Sequence, residues 1–152
     1  MSYKLLITSK MEPPAKYKKY LSEHETVNGE PTNFVITAKN IGNESTPEGE
    51  LRVSLERPAA MTLFSIMVKP FKLPVLQPKK TFSVKGKATL LAPGLWFLCV
   101  NAVFQDKKKV EYYSSDSSEP YPDRWTWPIY VIERGILDSN ILLNKLIEER
   151  EK

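Results

Sequence analysis

The chain has 152 residues, 41% of them hydrophobic and 26% charged, which is enough for one domain with a real core and unlike a disordered or fibrous composition. The 22 Lys and Arg against 18 Asp and Glu leave a net charge of +4, divided among separated groups at Lys16, Lys18 and Lys19, at Lys79 and Lys80, and at Lys107, Lys108 and Lys109. A continuous nucleic-acid surface is therefore not expected. No apolar run approaches the ~18 residues of a membrane span, and "MSYKLLITSK" at the amino terminus is far shorter than a signal-peptide core, so the expectation is a soluble, cytoplasmic protein with no membrane contact. The single cysteine, Cys99, allows no intrachain disulfide and fits a reducing compartment, where the sequon Asn43-Glu44-Ser45 is read as accidental.

Taken in chain order, most segments alternate apolar and polar residues with period two, the mark of half-buried antiparallel strands. Tyr3, Leu5 and Ile7 share the inner face of a first strand. "KMEPPAKYKKYLSEHETVNGE" follows as a long polar connection with one helical turn at most. In "NFVITAKN", Phe34, Ile36 and Ala38 face one way and Val35, Thr37 and Lys39 the other. After "IGNESTPEG", Leu51, Val53 and Leu55 alternate with Arg52, Ser54 and Glu56, and "RPAA" breaks that strand. "LFSIMVK" is apolar on both parities and suits a place between neighbours. "PFKLPVLQPKK" holds three prolines, which donate no ladder hydrogen bonds, and is predicted to be an irregular crossing between sheets.

Phe82, Val84, Ala88 and Leu90 then alternate with Ser83, Lys85, Lys87 and Thr89, with Gly86 as a bulge site. Pro93 and Gly94 make the next turn. "LWFLCVNAVF" is apolar on both faces, as a central strand is, and "QDKKK" is expected to connect it to "VEYYSS" as a hairpin partner. Beyond the polar "DSSEPYPD", the stretch "WTWPIYVIE" reads as a last strand whose Pro128 places it at a sheet edge. The period then changes. Asp138 is the expected helix N-cap, Leu137 and Leu142 a hydrophobic staple, and Leu142, Leu143, Leu146 and Ile147 one apolar stripe. Seven or eight strands without a βαβ rhythm predict an all-β, two-sheet antiparallel sandwich with Greek-key connections over residues 1–135 and an added amphipathic helix over residues 136–152.

Three stretches also resemble a known family. "FVITAKNIGNEST" resembles the strand running into an N-x-G-N turn of CARDB-type and related bacterial and archaeal immunoglobulin-like domains, and "LPVLQPKKTFSV" with "APGLWFLCVNAVFQD" resembles their proline-rich crossing and long following strand. The resemblance spans residues 33–113, and it implies an immunoglobulin-like sandwich of the non-catalytic adhesion or interaction kind. The chain departs from the CARDB pattern after residue 113, where it adds a strand and a helix. It departs further from antibody-type domains, with no cysteine to pair with Cys99 and no expected tyrosine hydroxyl for their corner bond.

Enzymatic chemistry has little to stand on. A Cys/His dyad or closed zinc site would need His24 in a polar linker to meet Cys99 in mid-strand, and the plainer reading is an exposed histidine and a core cysteine. Phosphate loops and G-x-S-x-G or H-E-x-x-H motifs are missing from the sequence. Asp116, Glu119 and Asp123 lack an ordered calcium spacing and read as a solvated loop. No catalytic residue, metal site or cofactor is therefore expected.

Alternation puts Trp125, Trp127, Ile129 and Val131 on one face, which favours the core, with Tyr130 opposite. The resulting expectation is a non-enzymatic protein-interaction module. It would dock a protein partner, or a second copy as a homodimer, through the edge at Trp125, Trp127 and Tyr130 or through the helix stripe Leu142, Leu143, Leu146 and Ile147. Packing of that stripe on the chain's own body is the simpler alternative. A different class of function, binding carbohydrate or single-stranded nucleic acid, would use Trp96, Trp125, Tyr112 and Tyr113 with nearby lysines.

Overall fold

The computed structural model describes residues 2–58 and 63–151, with the side chains of residues 63–69 outside that description. Nine strands appear among the described residues: β1 (Tyr3–Glu12), β2 (Glu25–Val27), β3 (Pro31–Asn40), β4 (Gly49–Pro58), β5 (Leu63–Leu73), β6 (Thr81–Thr89), β7 (Gly94–Phe104), β8 (Val110–Tyr113) and β9 (Trp125–Ile132). One α-helix, α1 (Arg134–Arg150), follows them, and a single 3-10 turn (Lys18–Tyr20) lies in the connection after β1, within the one helical turn allowed there. The strands form a four-stranded sheet in the order β6-β3-β1-β8 and a five-stranded sheet in the order β2-β9-β7-β4-β5. The fold is the expected immunoglobulin-like two-sheet sandwich with a carboxy-terminal helix.

Period-two alternation builds its core. Leu5 and Ile7 of β1, Phe34, Ile36 and Ala38 of β3, Leu51, Val53 and Leu55 of β4 and Leu98 and Val100 of β7 are all buried. Trp125, Ile129 and Val131 of β9 close the layer from the five-stranded sheet. Each such aliphatic side chain withdraws enough surface from water to contribute ~1.5–3 kcal/mol, so the two inner faces hold the sheets together. β7 lies in the middle of its sheet, as its two apolar faces predict.

Several expectations are corrected. The long polar connection contains the short strand β2, which pairs parallel to the end of β9, and it buries Tyr17 completely. Three residues are too few to show alternation, and "AKYKKY" carries no apolar pattern around Tyr17. "LFSIMVK" has no second neighbour among the described residues, because β5 pairs only with β4 and ends the sheet. An edge also explains why Pro70 is tolerated within β5, so the irregular crossing starts after Leu73. Gly86 sits opposite Phe34 in an unbroken register and makes no bulge. "RPAA" falls partly on residues 59–62, outside the described residues.

The largest topological surprise is β8. It leaves β7 and crosses to the other sheet, where it pairs parallel to β1. A connection as short as "QDKKK" suits a hairpin equally well by length, and side-chain chemistry decides between them. Tyr112 of β8 turns its hydroxyl to the backbone of Ala102 in β7, accepting from the Ala102 amide at 2.7 Å and donating to its carbonyl at 3.2 Å. β9 starts at Trp125, opposite Val100, so the tyrosine satisfies backbone groups that the sheet leaves unpaired. A tyrosine hydroxyl thus does make a corner-like bond between sheets, contrary to the sequence expectation.

Two strand ends, the last residue of β3 and the first of β4, anchor the layers. The buried Asn40 accepts from the Gly42 amide through Oδ1 (2.9 Å) and donates through Nδ2 to the carbonyls of Glu44 (2.8 Å) and Leu76 (2.9 Å). This gives the N-x-G-N stretch its physical role, tying the β3–β4 loop to the crossing between sheets. Gly49 is opposite both Leu73 of β5 and Phe104 of β7, and a Cβ there would run into the Val103 carbonyl and the Phe104 backbone and ring.

Candidate interaction surfaces

α1 begins two residues before the expected helix boundary, because Glu133 and not Asp138 supplies the cap. Its two carboxylate oxygens accept from the amides of Gly135 (3.0 Å) and Ile136 (2.7 Å). The expected Leu137–Leu142 staple has no cap at Asp138 to accompany. Asn28 accepts from the Arg134 amide at 2.8 Å, and an Arg134–Glu30 ion pair at 3.5 Å adds a surface contact. These tie the first turn to the loop after β2.

Past that turn the helix makes only partial contact with the sandwich. It has no buried residue, although Leu137 and Ile141 are half-covered. Leu142 is 60% exposed, Leu143 55%, Leu146 50% and Ile147 46%, with Ile136 at 60%. At ~3.6 residues per turn these five share one side, displaced from the side that carries Leu137 and Ile141. Packing of the stripe on the chain's own body is therefore corrected.

The tryptophans divide. Trp125 is buried, its indole N–H donating to Ser114 Oγ at 2.7 Å. Trp127 is half-buried and packs under the ring of His24, with centroids 4.4 Å apart. Tyr130, on the opposite face, is 49% exposed. β9 is not an edge strand along its whole length, since β2 covers residues 130–132. Residues 125–128 have no strand on that side among the described residues, and there His24 takes over: its Nδ1–H donates to the Pro128 carbonyl at 2.8 Å. Because the carbonyl only accepts, this bond places a proton on Nδ1. The exposed histidine expected from the polar linker is thus a half-buried one that partly replaces a missing strand.

The aromatic platform imagined for a glycan or nucleobase does not form as a surface. Trp96, Tyr112 and Trp125 are buried within the core, leaving Tyr113 alone half-exposed. Cys99 lies on the outer face of its sheet, buried under Glu56, to which its thiol donates at 3.1 Å. Burial first and the Glu56 carboxylate second push the thiol up to about 12, while Arg124, paired to Glu56, opposes them. A thiol so protonated is a poor nucleophile at neutral pH. Cys99 and His24 do not come together. Asp116, Glu119 and Asp123 are exposed, and no group of three or more His, Cys, Asp and Glu converges as metal ligands among the described residues. No helix among them is long and apolar enough to cross a membrane.

Neither a family model nor a curated protein sequence matches this chain. Solved structures do. A CARDB domain from Pyrococcus furiosus, crystallised in complex with di-metal ions, superposes with a TM-score of 0.53 at 13% identity, over 88% of this chain and 94% of that one. The solution structure of the same archaeal domain gives 0.51 at 14% identity, over 87% and 98%. A β-glucosidase from Erythrobacter marinus gives 0.50 at 10% identity, where 86% of this chain covers only 16% of the enzyme. At such identities the likeness concerns the backbone arrangement, and by that measure the fold is that of a CARDB-like, immunoglobulin-like β-sandwich.

Proposed function

We propose that this protein is a non-enzymatic interaction module that docks a protein partner through the apolar stripe of α1. The observation that carries this reading is the exposure of Ile136, Leu142, Leu143, Leu146 and Ile147 on one side of a helix capped and anchored at its first turn. A soluble helix with such a stripe is stable in water only at the cost of wetting it, and a groove or a like helix on a partner removes that cost. The protonated Cys99 thiol and the unconverged acidic loop support the non-enzymatic part. The CARDB-like fold accords with an interaction role.

A second copy is the partner the first test addresses. In sedimentation, the full chain is expected to self-associate with concentration, whereas a chain ending at Glu133 and a Leu143→Lys, Leu146→Lys double variant remain monomeric. A full chain that stays monomeric at all concentrations removes pairing between copies. A double variant that associates like the wild type removes the stripe as the interface.

A further inference from the structure

We propose that the unpaired half of β1 is a second docking site, one that accepts an extended peptide as an added strand over Trp127. This does not rest on the helix-borne reading. β8 pairs with β1 only as far as Leu6, so from Ile7 onward that edge has no strand beside it among the described residues. The direction of the free groups follows from the ladder. The Tyr3 amide donates to Lys109 beside β8, and the Lys4 carbonyl accepts from Ile41 beside β3. Odd-numbered residues therefore turn their backbone to the β8 side, which leaves the Ile7 carbonyl, the Ser9 amide and carbonyl and the Met11 amide unpaired by any strand. These groups recur at the spacing of an extended backbone and match the main chain of a peptide.

A groove runs along the same edge. Two adjoining hollows, of about 570 and 320 Å³, share Thr8, Ser9, Glu23 and Trp127, and the smaller continues past His24 to Asp116. Residues 7–11 span ~13 Å at ~3.3 Å per residue, which sets the docked segment at about five residues. The groove holds an independent sign of a missing partner: Ser9 Oγ is out of contact with water and has no hydrogen-bond partner among the described residues. An incoming strand directs alternate side chains inward, so a threonine there meets Ser9 Oγ with its hydroxyl and Trp127 with its methyl. The exposed carboxylates of Glu23 and Asp116 at the mouth favour a lysine flanking that segment. Residues 7–11 have neither a proline nor a bulge and carry one exposed charge, Lys10, whereas the β6 edge carries both Lys85 and Lys87 exposed and the β5 edge carries Pro70.

The test uses the isotope-labelled full chain and a short capped peptide of alternating threonine and valine with a lysine at each end. Binding is expected to shift the amide resonances of Ser9 and Met11, to slow exchange of the Ser9 amide by about tenfold or more, and to change the fluorescence of Trp127. The same peptide methylated on every second backbone nitrogen is expected to lose these effects, and Ser9→Pro, which removes the amide donor on the free side of β1 together with the Ser9 hydroxyl, to weaken them. Absence of shifts at Ser9 and Met11, shifts confined to α1, or an equal response to the methylated peptide would each overturn the proposal. The methylated peptide decides the matter even if Ser9→Pro fails to fold.

Discussion

One flank of the sandwich has a closed half and an open half. In the closed half, β8 lies beside residues 3–6 of β1, Tyr112 spans the gap to Ala102, and the Tyr3 hydroxyl donates to Asp106 at 2.6 Å. In the open half β8 has ended, a single histidine on Pro128 stands where a strand would be, and a groove remains. Both halves run along β1, facing β7 through β8 in the closed half and β9 in the open one. What separates them is whether the backbone's polar groups are met from within the chain, and this shows how a sandwich can be stable as a whole while leaving a site unoccupied.

Substitutions at the two halves should separate accordingly. Tyr112→Phe removes the hydroxyl that bonds both the amide and the carbonyl of Ala102, and should cost about 2–3 kcal/mol in denaturant unfolding. A loss under about 0.5 kcal/mol would mean the closed half is held by packing alone. His24→Ala frees the Pro128 carbonyl at a place already half-open to water, so its cost should be about 1 kcal/mol, with altered Trp127 fluorescence. A cost as large as that of Tyr112→Phe would break the distinction between the halves.

The smallest effect should be pH-dependent. The Tyr3 hydroxyl first, then the Lys108 amide, hold the Asp106 carboxyl below its ordinary 3.8. A carboxyl with a lowered native pKa contributes stability above its ordinary value and loses that contribution as the pH falls through the native one. Wild type should therefore exceed Asp106→Asn modestly at neutral pH, and urea titrations should show the gap closing as the pH falls below about 3.8. A gap unchanged in acid would assign the difference to something other than the charge.

Much of the fold was legible in the sequence, because a two-residue period imposed by burial leaves its trace wherever a strand is long and one-sided. β1, β3, β4 and β6 are such strands. β2 was not legible, being too short to alternate, and the destination of β8 was hidden because strand pairing across sheets depends on partners distant in sequence. Tyr112 shows the same limit for side chains: nothing around it in sequence tells whether its hydroxyl will find water or backbone. Of the candidate site residues, the helix stripe could be read because an apolar side with nothing opposite it in sequence is visible as such. Trp125, Trp127 and Tyr130 were placed on their correct faces, yet the half-covered edge beside them depends on where β2 and β8 stop. That is a property of chain ends in space, with no local signal in Ser9 or His24.

Gly49 has a consequence for the fidelity of assembly. β4 is clasped between β5 and β7, and slippage by one residue would carry Glu48 or Glu50 to the point where even a methyl group meets the Val103 carbonyl and Phe104. The same slip would turn Leu51, Val53 and Leu55 to the outside. The absent side chain thus works as a notch: in the folded sheet this one position fits against the Val103 carbonyl and Phe104 only without a Cβ, so shape and hydrophobic pattern select the same register.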